Sequence, residues 1–200
     1  MHSNADSDKA PPVLVSYGHS WVAGDGASFS RTSFAALAAR ELELALDNRA
    51  VGGSSSTATA ELVVSSPPPP APLYVVMTGL NDLRLHGEES FALSGYSGVL
   101  RRILTALRRT SPNSLVVAVA QPYLVDFSLY PPHNRGNNQL VDDYNSVLRR
   151  ASAEYSFVAL AETDHWDAEL MLHEDTVHPN DAGHACLAQA VLHAVASRRS

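Results

Sequence analysis

Five short apolar runs, each separated from the next by a stretch of helical spacing, constrain this chain more than any other feature it has. Pro12-Val13-Leu14-Val15-Ser16-Tyr17 is rich in β-branched residues and closed by Gly18, which predicts a strand buried on both faces. From Ser33 to Leu42 the apolar positions Phe34, Leu37, Ala38 and Leu42 recur at helical spacing. The period then falls to two, because Leu42, Leu44 and Leu46 alternate with Glu43 and Ala45 in a second strand that ends near Asn48 to Gly53. A Ser/Thr run at 54–57 predicts the cap of a helix through Val64, and Pro67 to Pro70 stop it and act as a stiff connector.

Leu73 to Thr78 predict the third strand, which runs into Gly79-Leu80-Asn81-Asp82. Val99, Leu100, Ile103, Leu104 and Leu107 mark one face of a helix ending near Thr110-Ser111-Pro112, and Leu115 to Ala120 form a fourth strand. The segment from Gln121 to Asn137 is a long aromatic loop, of the kind that often carries function. Leu140, Val141, Tyr144, Val147 and Leu148 set the next helix, Phe157 to Leu160 a fifth strand, and 181 to about 197 the closing helix. Strands alternating with helices predict an α/β domain with a parallel sheet covered on both faces. Of the 200 residues 45% are apolar, enough for one core, so the expectation is a single domain over 12–197 behind a polar tail at 1–11.

Charge narrows the partners. A net charge of -7 argues against nucleic acid or an anionic membrane, both of which need a cationic face. The N-terminus has no apolar h-region and no window approaches the length of a bilayer span, so the expected location is cytoplasmic. The lone Cys186 falls in the closing helix and is expected to be a small core residue. Nine histidines raise the question of a metal, but no pair has the spacing of H-E-x-x-H and no cysteine cluster accompanies them. Neither metal nor cofactor is expected, and His165, His173 and His184 are expected to fill surface or loop positions.

The chemistry gathers at the C-terminal ends of the strands, where a parallel α/β sheet places its ligand site. Ser20 follows the first strand, Gly53 the second and Asn81 the third, while Asp175 and His178 stand before the closing helix. Pro179 drives His178 out of the helical region, which lets the Asp175 and His178 side chains meet across one turn. A carboxylate on one ring nitrogen leaves the other free to take a proton from a hydroxyl. Together these residues offer a nucleophile, an oriented base and donors for an oxyanion, as acyl transfer from an ester or thioester requires.

Four blocks, Gly18-His19-Ser20, Asn48 to Gly53, Gly79-Leu80-Asn81-Asp82 and Asp175-Thr176-Val177-His178, resemble those of the SGNH hydrolases, the GDSL-type esterases and lipases. The resemblance implies a three-layer α/β/α, flavodoxin-like fold with Ser20 as nucleophile, His178 as base and Asp175 as its partner. It also implies an oxyanion hole built from the backbone N–H groups of Ser20 and Gly53 and the side-chain amide of Asn81. Gly53 is preferred to Gly52 because it stands five residues after Asn48. Trp21, Tyr123 and Phe127 are candidates to line the substrate pocket, and core and lid packing explains them equally well. The family usually has aspartate where this chain has His19, which either changes how the first loop is held or adds a titrating group beside Ser20.

Gly18-His19-Ser20 also opens a G-x-S-x-G elbow, but Val22 replaces the closing glycine and only one strand precedes it. The expected function is therefore a serine hydrolase acting on a small-molecule or carrier-bound acyl ester. The alternatives are an acyltransferase and a catalytically silent binding domain on the same fold.

Overall fold

The protein is described by a computed structural model over residues 11–198, so all of the expected 1–11 tail except Pro11 lies outside the described residues. Five strands, β1 (Val13–Gly18), β2 (Ala45–Asn48), β3 (Leu73–Met77), β4 (Leu115–Val119) and β5 (Val158–Ala161), form one sheet in the order β2-β1-β3-β4-β5. Every pairing is parallel. The middle strands are buried along nearly their whole length, as their apolar runs require, whereas edge strand β2 stays partly exposed and ends in the polar pair Asp47-Asn48.

The helices are α1 (Ser20–Ala23), α2 (Phe34–Glu41), α3 (Ser56–Ser65), α4 (Leu80–His86), α5 (Ser90–Thr110), α6 (Asn138–Ala153), α7 (Ala168–Met171) and α8 (Asp181–Ala196). Helices α2 and α8 pack together against the sheet, while α3, α5 and α6 pack in series as the other layer. This is the three-layer α/β/α, flavodoxin-like arrangement. After β1 the chain moves outward to β2 and then returns to the far side of β1, so the order reverses between β1 and β3. A crevice at the carboxyl ends of strands flanking such a reversal is where ligands bind in open α/β sheets. Ser20 and Asn81 follow those two strands.

Two local expectations are corrected. The second strand begins at Ala45, not Leu42, because Leu42 caps α2 and Glu43 takes a left-handed φ of 56°, closing the helix before the strand starts. The stretches after β1 and β3, for which no element was expected, open short helices α1 and α4, whose few residues give periodicity too little length to register. Among the described residues no helix is long and apolar enough to cross a membrane.

Candidate active site

Ser20 opens α1 and is 7% exposed. Its backbone N–H belongs to the first turn, where a helix leaves donors without internal partners. Its carbonyl accepts the N–H groups of Gly24 and Asp25, both at 3.0 Å, which folds the following loop tightly over the helix.

His19 caps that helix. Its Nδ1 accepts the N–H of Trp21 at 3.4 Å, so the ring is neutral with its proton on Nε2, which donates to Gln121 Oε1 at 3.2 Å. Gln121 is itself fixed, since its N–H reaches Asn145 Oδ1 at 2.9 Å and its carbonyl accepts from Asn145 Nδ2 at 2.8 Å. Full burial, against the Gln121 hydrogen bond, pushes the His19 pKa down to about 3. Of the two consequences foreseen for His19, the structure shows the first: it holds the loop as a neutral cap and adds no group that titrates near neutrality.

That depression carries a stability signature. His19 takes up a proton near its ordinary 6.5 when unfolded but only near about 3 when folded, so across that window the unfolded chain binds more protons. Stability is therefore expected to fall as pH drops from 6.5 towards 3. Melting temperatures of wild type and His19→Asn, which keeps a capping acceptor, should diverge in slope over this range. An identical slope would assign the effect to His184, whose pKa burial also lowers.

The second and third blocks are bolted to one another and to β1. Asn48 Oδ1 accepts from Ser16 Oγ at 3.0 Å and the Ala50 N–H at 3.1 Å, while its Nδ2 donates to the Val22 carbonyl at 2.8 Å. Asn81 Nδ2 donates to the Ser54 carbonyl at 2.9 Å, and Asp82 accepts the Ser56 Oγ–H at 2.6 Å and the Ser56 N–H at 2.8 Å. Gly53 has φ +74°, the left-handed region that favours glycine, whereas Gly52 does not. Among the described residues neither the Ser20 nor the Gly53 N–H has an internal acceptor, and the second Asn81 amide hydrogen is also free.

The last block is a closed loop. Leu172 and Pro179 pair across its base, and the His173 N–H donates to the His178 carbonyl at 2.8 Å. Thr176, with φ +61°, turns the chain so that the N–H groups of Val177 and His178 both reach Asp175 Oδ1, at 3.0 and 2.9 Å. His178 Nδ1 donates to Asp175 Oδ2 at 2.6 Å, which leaves Nε2 as the acceptor. Burial alone would raise the Asp175 pKa, but the hydrogen bonds from the His178 backbone, the His178 ring and the Val177 backbone outweigh it and hold the carboxyl below its usual range.

The loop after α1 carries this block towards Ser20. His173 Nε2 donates to the Gly26 carbonyl at 2.6 Å, and Asp181 Oδ1 accepts the Ser28 N–H at 2.9 Å. A Cβ at Gly26 would collide with the Pro179 carbonyl and stand 3.1 Å from His178 Cβ. Gly26→Ala is thus expected to push His178 away from Ser20 and lower kcat about 100-fold, as misplacement by an ångström does. Stopped assays on purified variants check this.

Trp21 does not line a pocket. It is fully buried, stacked on Trp166 with ring centroids 5.4 Å apart, because as the second residue of α1 it turns inward to the core. Tyr123 is 45% exposed and donates to Asp142 Oδ1 at 2.7 Å, while Phe127 packs against the core near Gly136. The loop carrying both reaches the Asp175–His178 block where Thr176 Oγ1 donates to the Asp126 carbonyl at 3.4 Å. Not every other histidine is a surface filler, since His184 is buried with Nδ1 accepting the Phe34 N–H at 3.2 Å and Nε2 donating to the Asp25 carbonyl at 3.2 Å. Gln121 and Gly26 were not among the residues singled out for this region, whereas Asp82 stands in the third block itself. Only Asp82, adjacent to Asn81, had a signal in its position.

The sequence pattern described as the GDSL-like Lipase/Acylhydrolase family matches residues 16–186. No curated protein matches the chain by sequence. Among solved structures, TesA is similar at 18% identity over 93% of this chain and 99% of that one, with a TM-score of 0.69. Phospholipase A1 from Streptomyces albidoflavus NA297 is similar at 19% identity over 92% and 99%, with a TM-score of 0.68. The salicylyl-acyltransferase SsfX3 from a tetracycline biosynthetic pathway is similar at 20% identity, with a TM-score of 0.72. It is a longer protein: 95% of this chain covers 55% of that one.

Proposed function

Because the chain belongs to the GDSL-like lipase/acylhydrolase family, we propose that it is a serine hydrolase that cleaves a small-molecule or carrier-bound ester or thioester through an acyl-enzyme on Ser20. The observation that carries this reading is the contact of His178 Nδ1 with Asp175 Oδ2. With Nδ1–H held by Asp175 at 2.6 Å, Nε2 is the base, on a loop that the residues following Ser20 anchor.

His178 Nε2 takes the Ser20 hydroxyl proton as Oγ bonds to the substrate carbonyl carbon. The carbonyl oxygen becomes an oxyanion received by the N–H groups of Ser20 and Gly53 and by Asn81 Nδ2. Collapse breaks the bond to the alcohol or thiol, which leaves with the proton from His178. Water then gives a proton to His178 and attacks the acyl carbon, and collapse releases the acid as Ser20 Oγ recovers its proton. Asp175 stabilises the transient imidazolium without taking its proton.

Intact-mass spectrometry after exposure to a fluorophosphonate tests the assignment. Wild type should gain one adduct that maps to Ser20, and Ser20→Ala and His178→Ala should gain none. An adduct on another residue would overturn it.

A further inference from the structure

Arg84 is the one buried arginine among the described residues, at 5% exposure. It follows Asn81 by three positions on α4, so the two side chains leave the same face of the helix one turn apart. Its Nη2 donates to the Leu129 carbonyl at 3.2 Å. Nε is sealed from solvent without an acceptor, and Nη1 makes no hydrogen bond but is not sealed. None of the ion pairs among the described residues includes Arg84.

A buried guanidinium without a carboxylate is costly, and its surroundings explain where the missing anion would come from. The groups within electrostatic reach of Arg84 are Tyr130 and His133 of the long loop, Asp175, and His19 beside Ser20. Asp175 already holds His178 and two backbone N–H groups with its two oxygens. His19 is neutral at a position where the family usually has aspartate. The site therefore has a guanidinium with no carboxylate in direct contact, on the face that also presents Asn81.

We propose that Arg84 binds a carboxylate carried on the acyl part of the substrate, which makes the preferred substrate a half-ester of a short dicarboxylic acid. This rests on Ser20 and Asn81 acting as proposed above. Three residues of helix rise about 4.5 Å, so the carboxylate would sit two to three carbons from the carbonyl whose oxygen Asn81 receives.

The test compares p-nitrophenyl hemiglutarate with p-nitrophenyl pentanoate, which differ in the terminal carboxylate. Wild type should prefer the hemiglutarate in kcat/KM by about 10- to 100-fold, the range of a charge-assisted hydrogen bond. In Arg84→Met the ratio should fall to near one, and Arg84→Lys should keep part of it. If Arg84 only pins the loop at Leu129, both rates drop together and the ratio survives, which overturns the proposal. So does a preference confined to 4-acetoxybenzoate over its methyl ester, which would place the anion on the leaving side.

A binding arm separates this idea from the hydrolase reading. Calorimetry with Ser20→Ala should show binding of monomethyl glutarate and not of dimethyl glutarate, whether or not wild type turns over either nitrophenyl ester. Equal or no binding of the two esters would overturn the role of Arg84, while binding without turnover would count against Ser20 alone. This comparison does not depend on any Arg84 variant folding.

Discussion

Ser20→Ala is expected to lower kcat for an activated ester by about a million-fold, and His178→Ala by a comparable factor. The double variant should be no slower than either single one, because nucleophile and base act as a unit and removing one leaves the other without work. The residual rate over water would then report the three oxyanion donors. Ser20 Oγ makes no hydrogen bond among the described residues, so the melting temperature of Ser20→Ala should match wild type. Pre-steady-state and steady-state assays with calorimetric melts check both halves. A Ser20→Ala enzyme that retains a tenth of its activity would send the search for a nucleophile elsewhere.

Asn81→Ala should cost about 100- to 1,000-fold in kcat with little change in KM, because its free amide hydrogen meets charge that exists only in the transition state. The same side chain also donates to the Ser54 carbonyl at 2.9 Å, so the substitution loosens the loop bearing Gly53. That loss should appear as about 1 kcal/mol of stability, the usual net worth of one hydrogen bond. Asn81→Asp keeps the shape but loses both donors, so kcat and stability should fall together in it as well. A fall confined to KM in both variants would mean that Asn81 binds the ground state and does not receive the oxyanion.

Much of the fold was legible in the chain, for reasons that differ by element. Strands β1, β3 and β4 announced themselves as unbroken β-branched runs, because a central parallel strand is apolar on both faces. Helices α2 and α6 gave helical spacing because each buries one stripe. Helix α5 starts nine residues before the apolar face that marked it, since Ser90 to Gly98 include few large apolar side chains. The second strand was misplaced because an alternating Leu-Glu-Leu reads as β whether or not a helix cap occupies its first two positions.

The Asp175–His178 pair was readable from sequence since its two members lie on one loop, three residues apart, with Pro179 dictating the backbone between loop and helix. Trp21 had two readings for the opposite reason. An aromatic beside a nucleophile has the same local sequence whether it faces substrate or core, and here the stacking on Trp166 decides.

By itself, then, the sequence determined the alternation of strands and helices, the members of the four blocks and the carboxylate–imidazole pair, all of which depend on neighbours within a turn or two. The tertiary structure alone decided that His19 rests on Gln121, 102 residues away, as a neutral cap, and that Asp82 holds Ser56. It also decided that Gly26 lies against Pro179 and that Arg84 is enclosed with no directly paired carboxylate. Periodicity and capping are local energies carried by adjacent residues, whereas these contacts exist only because the sheet order brings the ends of distant strands to one crevice.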